Sequence, residues 1–201
     1  SIYNMLTVKL TPLALDSPNA KSISVDGLTC NNYDVLELIR DIAIINLNEE
    51  IPSDLYQSVK LPENNFSTAI TLDGTLIGWG LTTTGGRQSN ILQKISVVVY
   101  DDATCSKSYY ETRNIEHQIC AGWPQNGRGS CQGDSGGPLL VDGIQIGIIS
   151  FGDGSDCTIS DREKPKILAR VSKYLSWIKT VLKTDNDNEE ENITEKNYYE
   201  Y

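Results

Sequence analysis

The sequence predicts an all-β protein closed by one C-terminal helix. Two observations predict it. Short apolar runs broken by Gly, Asn, Asp and Pro recur through most of the chain, and helical spacing of apolar residues is sustained in one long segment near the end. The candidate strands, in order, are Leu6–Leu10, Ser22–Val25, Ile42–Leu47, Thr75–Gly78, Leu92–Val99, Gly137–Val141, Ile144–Phe151 and Ile167–Val171. Strands at this spacing read as a barrel or a sandwich. A short helix is expected over Asp102–Tyr110, which opens on acidic residues suited to a helix N-terminus. Val171, Tyr174, Leu175, Ile178, Val181 and Leu182 recur at helical spacing and give the C-terminal amphipathic helix. Residues 183–201 are rich in Asp, Glu and Asn, bury too little to offset their ordering entropy, and read as a disordered acidic tail on a domain of residues 1–182.

Charge and length narrow the classes. Seventeen Lys and Arg face twenty-seven Asp and Glu in 201 residues, a formal net charge of -10. That length holds one domain, or two small barrels sharing a core. No cluster of Lys and Arg offers phosphates a surface, so nucleic acid is not an expected partner. Apolar runs such as Ile144–Phe151 are too short to span a bilayer as helices, so no membrane association is expected. Ser1–Leu15 lacks the pattern of a signal peptide, so either a signal has been removed or the native N-terminus lies upstream. Five cysteines leave one over if the others pair, and no Cys-x-x-Cys spacing suggests zinc or redox chemistry. No metal or cofactor is expected. Asn65-Phe66-Ser67 and Asn192-Ile193-Thr194 are glycosylation triplets, consistent with a secretory route.

Chemistry concentrates at Ser135, within Gly133-Asp134-Ser135-Gly136-Gly137-Pro138. A serine hydroxyl is a poor nucleophile at neutral pH and needs a base and a site for the developing oxyanion. Flanking glycines let the backbone turn tightly, so that the amides of Gly133 and Ser135 converge on one point. Asp41 opens the apolar run Ile42–Leu47. A carboxylate at the start of a buried strand expects a histidine or several donors as partner.

Together these pieces resemble the trypsin and chymotrypsin family of serine proteases. The matching segments are Asp41–Leu47, Gly78-Trp79-Gly80, Cys120-Ala121-Gly122, Ser130–Leu139, Ser150-Phe151-Gly152, Lys164-Pro165, Arg170-Val171 and Trp177-Ile178, in the family's order. The resemblance runs from about Leu6 to Leu182. It implies two packed six-stranded β-barrels with a C-terminal helix, the first barrel incomplete here, and a secreted endopeptidase acting through an acyl-enzyme. The roles it implies follow the serine-triad template, which is itself drawn from this family. Ser135 is the nucleophile and Asp41 the acid that orients a histidine. Gly133 and Ser135 supply the oxyanion amides, and Asp134 pairs with a freed N-terminal amine on activation. Ser150, Phe151 and Gly152 pair with an extended substrate as an added strand. Cys105 and Cys120 form one disulfide and Cys131 and Cys157 another. Gly74 and Val141 stand where the family carries a third, and Cys30 is either a free thiol or the partner of an upstream cysteine. Protein or peptide substrates and protease inhibitors are the implied partners.

One family feature is missing. The catalytic histidine should precede Asp41, yet the single histidine is His117, far downstream. Three explanations stay open: a fragment whose histidine lies upstream, a truncated relative without activity that serves as a binding or regulatory module, or rescue by another base. An incomplete first barrel would expose strand edges and make the isolated chain poorly soluble. The resemblance also places Gly129 and Lys166 at the floor of the specificity pocket. Gly129 replaces the aspartate that selects Lys or Arg. Lys166 either attracts an acidic side chain or extends to solvent and leaves the pocket apolar.

Overall fold

The computed structural model of the chain describes residues 6–108, 114–125, 127, 129–152, 157, 161 and 163–196, with backbone alone for 184–196. It contains two sheets. Strands β1 (Thr7–Leu10), β2 (Lys21–Cys30) and β3 (Ala43–Leu47) form an antiparallel three-stranded sheet in that order. Strands β4 (Leu72–Gly78), β5 (Gln93–Tyr100), β6 (Gln118–Gly122), β7 (Pro138–Val141), β8 (Ile144–Phe151) and β9 (Lys166–Arg170) close into a barrel in the order β4-β5-β6-β9-β8-β7. The second barrel of the expected pair is thus complete, and the first is represented by an open sheet.

Residues that alternate along the strands fill the barrel. Leu76, Val97, Val99, Ile119, Leu139, Ile146, Ile149 and Leu168 form its interior. Two strands begin earlier or end later than their apolar runs suggest, and for one reason. Asp73-Gly74 and Asp26-Gly27 look like turns in sequence. Gly74 instead lies flat inside β4, where a Cβ would come within 2.9 Å of Val99 Cγ2. Gly27 sits at a register shift in β2 that lets one long strand pair first with β1 and then with β3. Extending the Thr75–Leu140 register by one residue sets Gly74 beside Val141, the two positions at which the third family disulfide is missing. β6 has no counterpart among the sequence-predicted strands. Gln118-Ile-Cys-Ala-Gly is buried on both faces, so it shows no alternation to read.

The short helix α1 spans Asp102–Ser106, and the expected continuation at Tyr109 and Tyr110 lies outside the described residues. Its N-cap is Asp101, which accepts from the Thr104 amide at 2.9 Å; that bond, the larger of its stabilising contacts, holds its carboxyl below the usual range. The C-terminal helix α2 begins at Val171 and continues through Lys196, past Leu182, where the apolar repeat ends. No Gly or Pro interrupts 183–196, so nothing in that stretch breaks the helix. Disulfides join Cys105 to Cys120 and Cys131 to Cys157; Cys30 is unpaired and exposed.

Arg170 knots several of these elements together. Its guanidinium donates to Thr68 Oγ1 (2.7 Å), Asp102 Oδ1 (2.7 Å), Gln118 O (3.0 Å) and Ile115 O (3.0 Å), while Thr68 Oγ1 donates to Asp102. The arginine is 8% exposed. Removing a buried charge's partner costs more than the pair contributes, because the remaining polar groups are stranded. Arg170→Met is therefore expected to destabilise the fold by about 3 kcal/mol. Calorimetry should show the midpoint lowered by roughly 6–12 °C.

Candidate active site

The loop carrying Ser135 leaves β6 and enters β7. Its path depends on glycine at two places: Gly133 has φ +92° and Gly136 φ +81°, conformations that side chains rarely adopt. A Cβ on Gly133 would also approach Gly80 Cα to 3.2 Å. Backbone bonds then fix the loop. Gly136 N–H donates to Ile149 O (2.8 Å), Ile149 N–H to Gly137 O (2.9 Å), and Gly137 N–H to Asp134 O (2.9 Å). Ser135 is left exposed at the tip.

Asp134 points the other way, into the Gly78-Trp79-Gly80 segment. Its carboxylate accepts from Gly80 N–H (2.8 Å) and Cys131 N–H (2.9 Å). A Cβ on Gly78 would lie 2.1 Å from Asp134 Oδ1 and one on Gly80 2.5 Å from its Cγ, so these glycines clear the space the carboxylate occupies. That space is a cavity of about 190 Å³ lined also by Leu76, Lys94 and Gly129.

A second cavity of about 190 Å³ lies on the nucleophile's side and is lined by Ser135, Ser150, Phe151, Gly152, Lys166 and Ser130, among others. Five of the predicted site residues therefore share one cavity. Gly129 does not; it faces the Asp134 cavity, and its neighbour Ser130 borders both.

Asp41 reaches this cavity's rim through Ser150, whose hydroxyl donates to Asp41 Oδ2 at 2.5 Å. The carboxylate itself is exposed, not buried as its place before an apolar strand suggests. β3 is an edge strand of an open sheet and is covered on one side only.

What holds Asp41 is the segment before it. Leu38 (φ +52°) and Arg40 (φ +62°) both take the left-handed conformation, each at a cost of roughly 1–2 kcal/mol. Contacts from the barrel and helix offset it. Gln118 Nε2 donates to Leu38 O (2.7 Å), and the Arg40 amide donates to Tyr174 Oη (3.0 Å). Ile42, buried, packs with Ala169 and Tyr174.

His117 belongs to this anchor and not to the serine's cavity. Its Nδ1 lies 3.2 Å from Tyr174 Oη. Tyr174 Oη thus stands between the Arg40 amide, from which it accepts, and the His117 ring. Burial, then the nearby Arg40 charge, lowers the His117 pKa from 6.5 and favours the neutral imidazole. Nothing in the sequence marked this role, because the three partners are far apart along the chain.

An open sheet beside a closed six-stranded barrel that carries the glycine-flanked serine loop is the arrangement of the serine-protease fold class. The trypsin family matches residues 3–178, and the chain belongs to that family. It is similar to Chymotrypsin-2 of Vespa crabro, with 33% identity over 87% of this chain and 77% of the relative. It is similar also to Trypsin eta of Drosophila melanogaster, with 33% identity over 73% of this chain, which spans only 55% of that relative's length. The solved structure of neuropsin, a serine protease expressed in the limbic system of mouse brain, superposes with a TM-score of 0.76 at 30% identity, covering 88% of this chain and 78% of that one.

A depressed histidine pKa has a definite sign in stability. The contribution is full above 6.5 and is lost as pH falls through the folded value, because the unfolded chain then binds the extra proton. His117→Gln keeps an acceptor for Tyr174 but does not titrate. The difference in melting temperature between the two proteins, followed from about pH 7.5 to about pH 5, should change only below about 6.5. A constant difference would contradict the anchor. Tyr174→Phe, which strands the Arg40 amide and His117, should cost about 1–2 kcal/mol in urea denaturation.

Proposed function

We propose that this chain is the principal part of a secreted serine endopeptidase that hydrolyses peptide bonds through an acyl-enzyme on Ser135. The observation that carries the reading is the shared cavity: Ser135 lines it, and Ser150 on its wall is hydrogen-bonded to Asp41. Ser135 attacks the scissile carbonyl, and the amides of Gly133 and Ser135 receive the oxyanion. Ser150–Gly152, the half-buried end of β8 and the residue after it, pairs with the substrate backbone as an added strand. Asp41 orients a histidine and stabilises its charged form. Asp134 holds the loop through an ion pair with an amine delivered on activation.

The base in this reading is a histidine N-terminal to residue 1. His117 is engaged by Tyr174 behind Asp41 and does not line the serine's cavity. Secretion is supported by two disulfides and by Asn65, a glycosylation acceptor exposed on a turn. A tryptic mode of cleavage is not expected, since Gly129 stands where the family resemblance places the aspartate that selects Lys or Arg.

The test is direct. Sequencing the transcript to its 5′ end should reveal a histidine codon upstream, and the full-length product, once activated, should label with a fluorophosphonate at Ser135. Ser135→Ala should abolish labelling and lower kcat by about 10⁶-fold. A full-length product without that histidine, or one inert to the probe, sinks the proposal.

A further inference from the structure

We infer that Asp16 and Asn90 are positioning residues for the Gly133 amide, acting through a short ladder that joins the β1–β2 loop to the β4–β5 loop. Only the use of that amide depends on the peptidase reading. The ladder is antiparallel and centred on Ala14 and Ile91. Leu15 N–H donates to Asn90 O (2.9 Å), and Leu92 N–H donates to Leu13 O (2.8 Å). A reciprocal side-chain pair closes one end. Asn90 Nδ2 donates to Asp16 Oδ1 at 2.6 Å, and the Asp16 amide donates to Asn90 Oδ1 at 3.2 Å. Both contacts require the same orientation of the Asn90 amide group, and the shorter one is charge-assisted.

From this ladder a continuous path of bonds leads to the serine loop. Leu13 O accepts a second hydrogen bond, from Trp79 Nε1 at 3.0 Å. Ser89 N–H donates to Gly80 O (3.2 Å). The segment Trp79–Leu81 is thereby held from the ladder's side. With its other side it holds the loop: Leu81 N–H donates to Gln132 O (2.9 Å), and Gly80 N–H donates to Asp134 Oδ1 (2.8 Å). Gln132 and Asp134 are the two chain neighbours of Gly133, so one three-residue segment grips the backbone on both sides of that amide. Gly133, at φ +92°, has no side chain to restrict it, and its order must come from such neighbours. An amide stabilises a developing oxyanion best when it is already aimed before charge develops. Neither Asp16 nor Asn90 lines the cavity beside Ser135, so both act through the backbone and not on a ligand.

The pair can be broken and rebuilt. Asn90→Asp sets two carboxylates against each other at the 2.6 Å contact and opens it. Asp16→Asn combined with Asn90→Asp restores one amide and one carboxylate, with donor and acceptor exchanged and net charge as in the native protein. The full-length protein carrying each change is followed by hydrogen exchange with mass spectrometry, which needs no activity. In Asn90→Asp, exchange across residues 79–82 and 130–137 should be about tenfold faster, with β9 unchanged. The exchanged pair should return to within about threefold of native. Trp79→Phe, which removes the bond to Leu13 and leaves Asp16 and Asn90 paired, should also speed exchange over residues 130–137. With a peptide substrate, Asn90→Asp should lower kcat by about tenfold at unchanged KM, short of the roughly 10²–10³ for outright loss of an oxyanion donor. Faster exchange confined to residues 11–20 and 88–92, faster exchange throughout the barrel, no recovery in the exchanged pair, or an unchanged kcat in an active enzyme overturns the inference. A native protein inert to substrate and probe sinks the peptidase reading alone, because exchange decides the positioning role by itself.

Discussion

A carboxylate carried by one sheet and a hydroxyl carried by another can cooperate only if the two sheets keep a fixed relation. Here that relation rests on how Leu38–Ile42 is held. The segment is intrinsically unfavourable, with two non-glycine residues at positive φ directly before the carboxylate. It persists because its polar backbone atoms are claimed from outside: Leu38 O by Gln118 and the Arg40 amide by Tyr174. Ile42 adds apolar burial against Ala169 and Tyr174. Strain is thus held next to the candidate acid and balanced by contacts with β6, β9 and α2. The helix that looks like a terminal ornament in sequence is one of the anchors of the site.

The serine loop obeys a different constraint. Gly133 and Gly136 permit its turns, but permission is not order. Order comes from Asp134, whose carboxylate is gripped by the amides of Gly80 and Cys131 in a space that Gly78 and Gly80 leave open. Ser135 and Asp134 therefore face opposite ways from one loop. The direction of one fixes the direction of the other, so whatever binds the Asp134 carboxylate acts on the geometry around Ser135.

Much of this was legible in sequence, and the gaps have physical causes. Barrel strands such as β8 alternate apolar and polar residues, and periodicity finds them. β6 is buried on both faces, so periodicity is blind to it. Asp-Gly pairs ordinarily signal turns, yet Gly27 supplies a bulge and Gly74 a close packing contact, and neither tertiary need is visible locally. Ser135, Asp134 and Asp41 stand in segments whose composition is dictated by local backbone requirements, which is why the family resemblance finds them. His117, Tyr174 and Arg40 meet only through the fold. The burial assigned to Asp41 failed because an apolar run says that a strand is covered, not on which side or by what.

Two cavities flank the Ser135 loop and share a wall. Ser130, Cys131, Ile149 and Cys157 border both, so the Cys131–Cys157 disulfide stands in the partition between them. The amide of Cys131 is also one of the two donors to the Asp134 carboxylate. The disulfide thus does more than close a chain loop: it fixes a residue that in turn holds the acid ordering the serine loop.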